Sequence, residues 1–125
     1  MKALLDTHMM IWLSRGTVSE RVRAIYEDTA NEICLSTASV WEIAIKRSLR
    51  KLHFPYDLDL LLSRFEKQGG YLLPIAPRHA ARVEQLPWLH RDPFDRLIAA
   101  TCLSDGYTLL SADTAFDGYG VERLD

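Results

Sequence analysis

Four carboxylates stand where a backbone element has just ended or just begun. Asp6 follows the apolar run Ala3–Leu5, Glu42 lies in the early turns of a helix, Asp95 in the first turn of another, and Asp113 just past the strand-like YTLL. Acids held within a few ångströms of one another repel and raise each other's pKa, so a converging set is costly to keep without a cation. Oxygen donors without histidine select Mg²⁺ or Mn²⁺ over zinc. The chemistry such a set offers is metal-assisted. Each acid also has an ordinary use: Asp6 and Asp113 as helix or turn caps, Asp95 as a dipole-compensating residue, Glu42 as the partner of Ser39 in a capping box or of Lys46 at i+4.

The elements that must position these acids centre on DPFDRLIAATCLSDGYTLLSAD, Asp92 to Asp113. Asp92 suits an N-cap and Pro93 the first helical position, and Gly106 ends the helix. Between them, Leu97 to Leu103 are apolar or small on every side, which predicts an enclosed helix. Tyr107 to Leu110 reads as a strand.

Earlier in the chain, Ala3–Leu5 and Ile33–Leu35 are short continuous apolar runs, as in central strands of a parallel sheet. Thr7 starts a helix, Thr17 (with Glu20 in a capping box) or Ser19 caps SERVRAIYEDTA, and Ser36–Ser39 open the helix carrying VWEIAIKRSLRKL. On that helix Ala38, Trp41, Ala44, Ile45 and Leu49 form an apolar stripe, predicting a core-facing Trp41 with Glu42 semi-buried at the margin. LDLLLSRFEKQG is amphipathic and ends at Gly69–Gly70. YLLPI follows as a strand that Pro74 pushes toward an edge, PRHAARVEQL is a short helix, and GVERL alternates like an outer strand.

This alternation predicts an α/β sandwich with a mostly parallel sheet. Ligands of such sheets bind beyond the carboxyl ends of the strands. Topology alone brings Asp6, Glu42 and Asp113 to that edge. Asp95, which opens a helix running into the fourth strand, is not placed there by the strand rule.

A chain of 125 residues with 48% hydrophobic residues suits one domain, 1–125, without repeat or linker. The net charge of −2 neither requires nor excludes nucleic acid, because what matters is where the basic residues lie. Cys34 and Cys102 sit among apolar neighbours, which predicts reduced core thiols and fits the cytoplasm. Asp6 and His8 interrupt the apolar opening segment and no small-residue cleavage site follows, against a secretion signal; no run is long enough to span a membrane.

LLDTHMMIW, SVWEIAIKRSLRKL, HRDPFDRLIAA and the late LLSAD together resemble the PIN-domain ribonucleases, and most closely the VapC-type toxins of bacterial and archaeal toxin–antitoxin pairs. The resemblance spans nearly the whole chain. It implies a PIN-like three-layer α/β/α sandwich that gathers acids around one or two divalent ions and cleaves RNA. Carried over residue by residue, it implies Asp6, Glu42, Asp95 and Asp113 as the catalytic and metal-binding set, brings Asp95 to the others, and marks Asp113 as the family's most variable position. Such a site neutralises the scissile phosphate, acidifies a bound water and stabilises the leaving 3′ oxygen. The resemblance further implies a homodimer and a small antitoxin that blocks the acidic pocket.

Thr7 and Ser111, next to the acids, are candidates to hydrogen-bond a ligating carboxylate or a bound water, with helix capping the alternative. His8, His53, His79 and His90 show no zinc spacing, and His8 is expected in packing or capping. Lys46, Arg47, Arg50 and Lys51 with His53 form the densest basic cluster. It is either a solvated helix face or, through Lys46 and Arg50, a hold on RNA phosphates. Trp12 and Trp88 are open as base-stacking residues. Met9–Leu13 and Leu58–Leu62 are candidate partner surfaces, with core packing the alternative.

Three other readings share parts of this pattern. A phosphoacceptor receiver domain calls for an adjacent acid pair after the first strand and a late Lys-Pro, and neither is present. A haloacid-dehalogenase-type phosphatase calls for an Asp two residues after Asp6, where His8 stands. A PIN fold that has lost catalysis and acts as an interaction module keeps all the motifs, and only assay separates it.

Overall fold

The computed structural model describes residues 1–125. Its elements follow the predicted order: β1 (Lys2–Leu5), α1 (Thr7–Arg15), α2 (Glu20–Glu27), β2 (Glu32–Ser36), α3 (Thr37–Ser48), α4 (Leu58–Lys67), β3 (Tyr71–Leu73), α5 (Pro77–Arg82), α6 (Pro93–Asp105), β4 (Thr108–Leu110) and β5 (Arg123–Leu124). Two 3₁₀ segments, Val83–Gln85 and Thr114–Tyr119, complete it. The sheet is parallel throughout, in the order β3-β2-β1-β4-β5. Receiver domains have the order 2-1-3-4-5, so that reading ends here.

Alternation along the strands builds a core on each face of the sheet. Leu4, Cys34 and Leu109 point to one face, where Ile98–Ala100 and Cys102 of α6, Phe116 and Tyr119 pack. Ala3, Leu5, Ile33, Leu35 and Leu110 point to the other, against Met9 and Met10 of α1, Val22 of α2 and Phe65 of α4. The result is the three-layer sandwich. Both cysteines are free and buried. The edge positions of β3 and β5 follow the prediction from Pro74 and from the alternation of GVERL. No helix is long and apolar enough to cross a membrane.

Of the two caps expected for α2, Ser19 is the one used, accepting from Val22 N at 3.1 Å. Three local readings differ. His8 is neither packed in the core nor a cap; it is exposed, its ring 6.1 Å from that of Trp12. Glu42 is fully enclosed rather than semi-buried, at 1% exposure. The apolar stripe of α3 is turned the other way: Trp41 is 57% and Leu49 58% exposed, and Ala44 is exposed too. Of the stripe only Ala38 is buried, together with Ser39, Glu42 and Ile43. The physical reason is that the inward face is chosen by Glu42 and Ser39 hydrogen-bonding within the fold, a gain that hydrophobic periodicity does not register.

Candidate active site

The strand order reverses between β1 and β4, and at such a switch point the loops beyond the carboxyl ends diverge and leave a crevice. Asp6 and Ser111 flank it. Asp6 caps α1, its Oδ1 accepting from Met9 N at 2.6 Å, while Ser111 Oγ donates to Oδ2. The same Ser111 oxygen accepts from Asp113 N at 3.1 Å, linking the ends of the two strands. Glu42 comes from α3, whose N-cap Ser36 closes β2 and accepts from Ala38 N at 3.0 Å. Thr7 donates to Glu42 Oε1 and lies 3.0 Å from Ser39 Oγ.

Asp95 reaches the same edge by the run of α6. That helix spans 13 residues, about 20 Å, and ends at Gly106, two residues before β4 starts at the opposite edge of the sheet. It must therefore begin at the carboxyl edge. Gly106 sits at φ 72°, the left-handed conformation that lets the chain turn into β4 at once. Asp92 caps the start, accepting from Phe94 N at 2.8 Å.

Two of the acids carry charge that the protein does not neutralise. Burial first, then the neighbouring Asp92, pushes the Asp95 carboxyl up to about 6, with Glu42 and Asp6 adding to the push and His90 opposing it. Asp6 is raised too, chiefly by burial, against the Ser111 hydroxyl and the Met9 amide. Asp113 behaves differently. Burial works upward on it, but His90, the Ala115 amide and Arg123 together outweigh burial and hold it below the ordinary carboxylate value.

His90, which stands in HRDPFDRLIAA, lies beside Asp113. Its Nε2 is 2.7 Å from Asp113 Oδ2, and its Nδ1 is 2.7 Å from the Tyr119 hydroxyl, which accepts from His90 N at 3.0 Å. The ring stacks on Tyr119 and tilts against Phe116. One tautomer satisfies all of these contacts, with Nε2–H donating to Asp113 and Tyr119 O–H donating to Nδ1.

A family model described as PIN domain matches residues 3–122. The chain belongs to the PIN-domain family. Among solved structures, this PIN domain is similar to VapBC2 from Rickettsia felis bound to a promoter DNA fragment, with 14% identity, 99% of this chain and 98% of that chain covered, and a TM-score of 0.74. DNA-bound VapBC from Salmonella typhimurium gives 18% identity, 100% and 98% coverage and a TM-score of 0.74. FitAcB from Neisseria gonorrhoeae gives 25% identity, 98% and 96% coverage and a TM-score of 0.64. Comparison with curated proteins gives no match.

In this PIN domain the basic cluster is divided. Lys46 bonds Glu42 Oε2 and lies 3.3 Å from Asp92 Oδ2; these carboxylates outweigh its burial and raise its pKa. Arg47 donates to the carbonyls of Phe54 and Tyr56, at 3.3 and 2.8 Å. Arg50 and Lys51 are exposed. Lys46 is thus a counterion within the acid cluster rather than a free phosphate contact.

No group of three or more His, Cys, Asp or Glu side chains converges closely enough to hold a metal ion by itself. The donor set nevertheless fits a hard divalent cation in two respects. Asp6, Glu42 and Asp95 offer only oxygen, and Asp95 is raised by burial and by the carboxylates of Asp92, Glu42 and Asp6, a repulsion that a cation would relieve.

Proposed function

We propose that this chain is a divalent-metal-dependent endoribonuclease, the toxin of a toxin–antitoxin pair, with Asp6, Glu42 and Asp95 as its metal-holding residues and Asp113 beside them. The observation that carries the reading is the Asp95 carboxyl pushed up to about 6 at the crevice of a PIN fold. A bound Mg²⁺ or Mn²⁺ supplies positive charge to the scissile phosphate and makes an attacking water more acidic. The protein's own part is to hold the carboxylates. Ser111 and the Met9 amide fix both oxygens of Asp6, Thr7 fixes one oxygen of Glu42, and His90 fixes Asp113. Lys46, bonded to Glu42 and near Asp92, keeps a cation among the carboxylates.

Two features favour a second reading, a PIN scaffold without catalysis: Lys46 already pairs with Glu42 and His90 with Asp113. Metal removal separates the two. Single-stranded RNA incubated with the purified protein should be cut in Mn²⁺ or Mg²⁺, left intact in excess EDTA, and cut again when the ion is restored. RNA intact under every divalent ion tried returns the chain to the scaffold reading.

The reading includes a cognate antitoxin, because the chain shares the fold of the VapBC structures and resembles VapC-type toxins in sequence. Of the segments Met9–Leu13 and Leu58–Leu62, Met9, Met10 and Ile11 are buried, Trp12 and Leu13 are half-buried, and Leu60, at 50%, is the one apolar side chain well exposed in the second. The homodimer has a better surface. Trp41, Ala44 and Leu49 line the outer face of α3, and Phe94 of α6 meets the Trp41 ring edge-on at 5.2 Å. An apolar stripe of this size on a soluble domain marks an interface. Trp41→Glu should convert a dimer to a monomer in light scattering without lowering the melting temperature of the monomer. A native chain that is monomeric at micromolar concentration removes the homodimer from the reading.

A further inference from the structure

We infer that Trp88 is a stacking platform for an unpaired base of single-stranded RNA, presented beside the acids by a loop whose other residues are tied down. The inference rests on the ribonuclease reading and adds to it a contact for the substrate's base rather than its phosphate.

Trp88 is 82% exposed, the most exposed large apolar side chain in the molecule. A mobile loop would fold an indole away, since burying so large a ring is strongly favourable. This loop is held instead. Arg96, only 4% exposed, donates to the carbonyls of Pro87, Val83 and Leu86 at 2.8, 3.0 and 3.4 Å. Leu89 N donates to Pro87 O at 3.0 Å, and the Leu89 side chain fills the space over Gly118, where an added Cβ would come within 2.4 Å of Leu89 Cδ1. His90 is fixed through Tyr119 and Asp113. The indole projects from this frame with the Arg96 guanidinium 4.0 Å from its ring centroid, a cation–π contact that fixes its plane.

The position of the ring decides what it meets. It lies two residues before His90, which touches Asp113, so a strand with its phosphate at the acids passes along this loop. Arg91, three residues on, is exposed and adds a cation to the same loop. An aromatic face beside a cation is how proteins hold single-stranded nucleic acid, and a platform already rigid loses little entropy when a base settles on it. A protein partner fits less well. Leu89, at 45%, is the one other large apolar side chain exposed in the loop, against the roughly 800 Å² per partner that a stable interface needs.

The test is binding without cleavage. Fluorescein-labelled single-stranded RNA of about ten nucleotides is titrated in EDTA with the native protein, Trp88→Ala, Trp88→Leu and Trp88→Phe. Ala and Leu should weaken binding about tenfold or more, with Phe close to native. The slope of log Kd against log salt should stay the same, because stacking releases no counterions. Trp88→Leu keeps apolar bulk, so its failure to rescue separates stacking from loop packing. Native affinity in the Leu variant, or a changed salt slope, overturns the platform. So does a loss of self-association in Trp88→Ala with RNA binding intact, which would make the ring a protein contact. If the native protein cuts RNA and Trp88→Ala binds and cuts as well, the platform alone fails; if the native protein neither binds nor cuts RNA, the ribonuclease reading fails with it.

Discussion

Asp95→Asn should leave the metal-free protein more stable at pH 7 than the native chain while lowering RNA cleavage about a hundredfold or more. The carboxyl of Asp95 sits near 6 in the folded protein against an ordinary 3.8, so between pH 4 and 6 the folded state keeps a proton that the unfolded state has released. Stability drawn from that proton is present below pH 4 and lost as pH rises through 6. At pH 7 the native fold carries a buried charge that Asn removes. A shift of this size corresponds to about 3 kcal/mol, and partial exposure of the site reduces it to about 1–2 kcal/mol. Melting curves in EDTA from pH 4 to 7 should therefore show the native protein falling relative to the Asn variant. Added Mn²⁺ should raise the native melting temperature at pH 7 and leave the variant unmoved. An Asn variant less stable than native at pH 7 in EDTA would mean that Asp95 is engaged in structure, and the metal-holding role would lapse.

Arg96→Ala should be strongly destabilising. One guanidinium serves three backbone carbonyls and underlies the Trp88 ring, in a side chain almost closed to solvent. Removing it strands those carbonyls and frees the segment leading into α6. The expected loss is about 2–4 kcal/mol, or roughly 8–15 °C of melting temperature for a domain of this size. Lys at this position should not restore it, because an ammonium cannot reproduce the planar fork that reaches all three oxygens. A loss below 1 kcal/mol in Arg96→Ala would show that water satisfies the loop as well as the side chain does.

The layering of this fold was legible because its elements are marked by short-range physics. Continuous apolar runs at Ala3–Leu5 and Ile33–Leu35 end at polar residues, and Asp92, Pro93 and Gly106 bracket α6. Asp6 at the crevice followed from the strand rule. Asp95 would also have followed from a helix-length argument: a helix that ends at the amino edge of a parallel sheet must start at the other. What single-residue patterns could not show was competition between contacts. The stripe containing Trp41 has the right period for a core, yet Glu42 and Ser39 take the inner face because their hydrogen-bond partner, Thr7, comes from another helix. Lys46 pairs with Glu42 at i+4, as the spacing within α3 allows, but its second acid, Asp92, lies 46 positions away and carries no local signal. His90 carried no signal of its own, since its partners Asp113 and Tyr119 lie 23 and 29 positions away.

Ser111 joins β4 to Asp6 across a separation of 105 residues, beside the bond that the Asp6 amide donates to Leu110 O at 3.1 Å. The first acid to leave the ribosome thus waits for almost the last strand before its carboxylate is oriented, and α6, carrying Asp95, docks only shortly before that. Contacts of such wide sequence separation form late in folding. A nascent chain therefore emerges without the crevice in place, and the crevice assembles only after synthesis of the domain is nearly done.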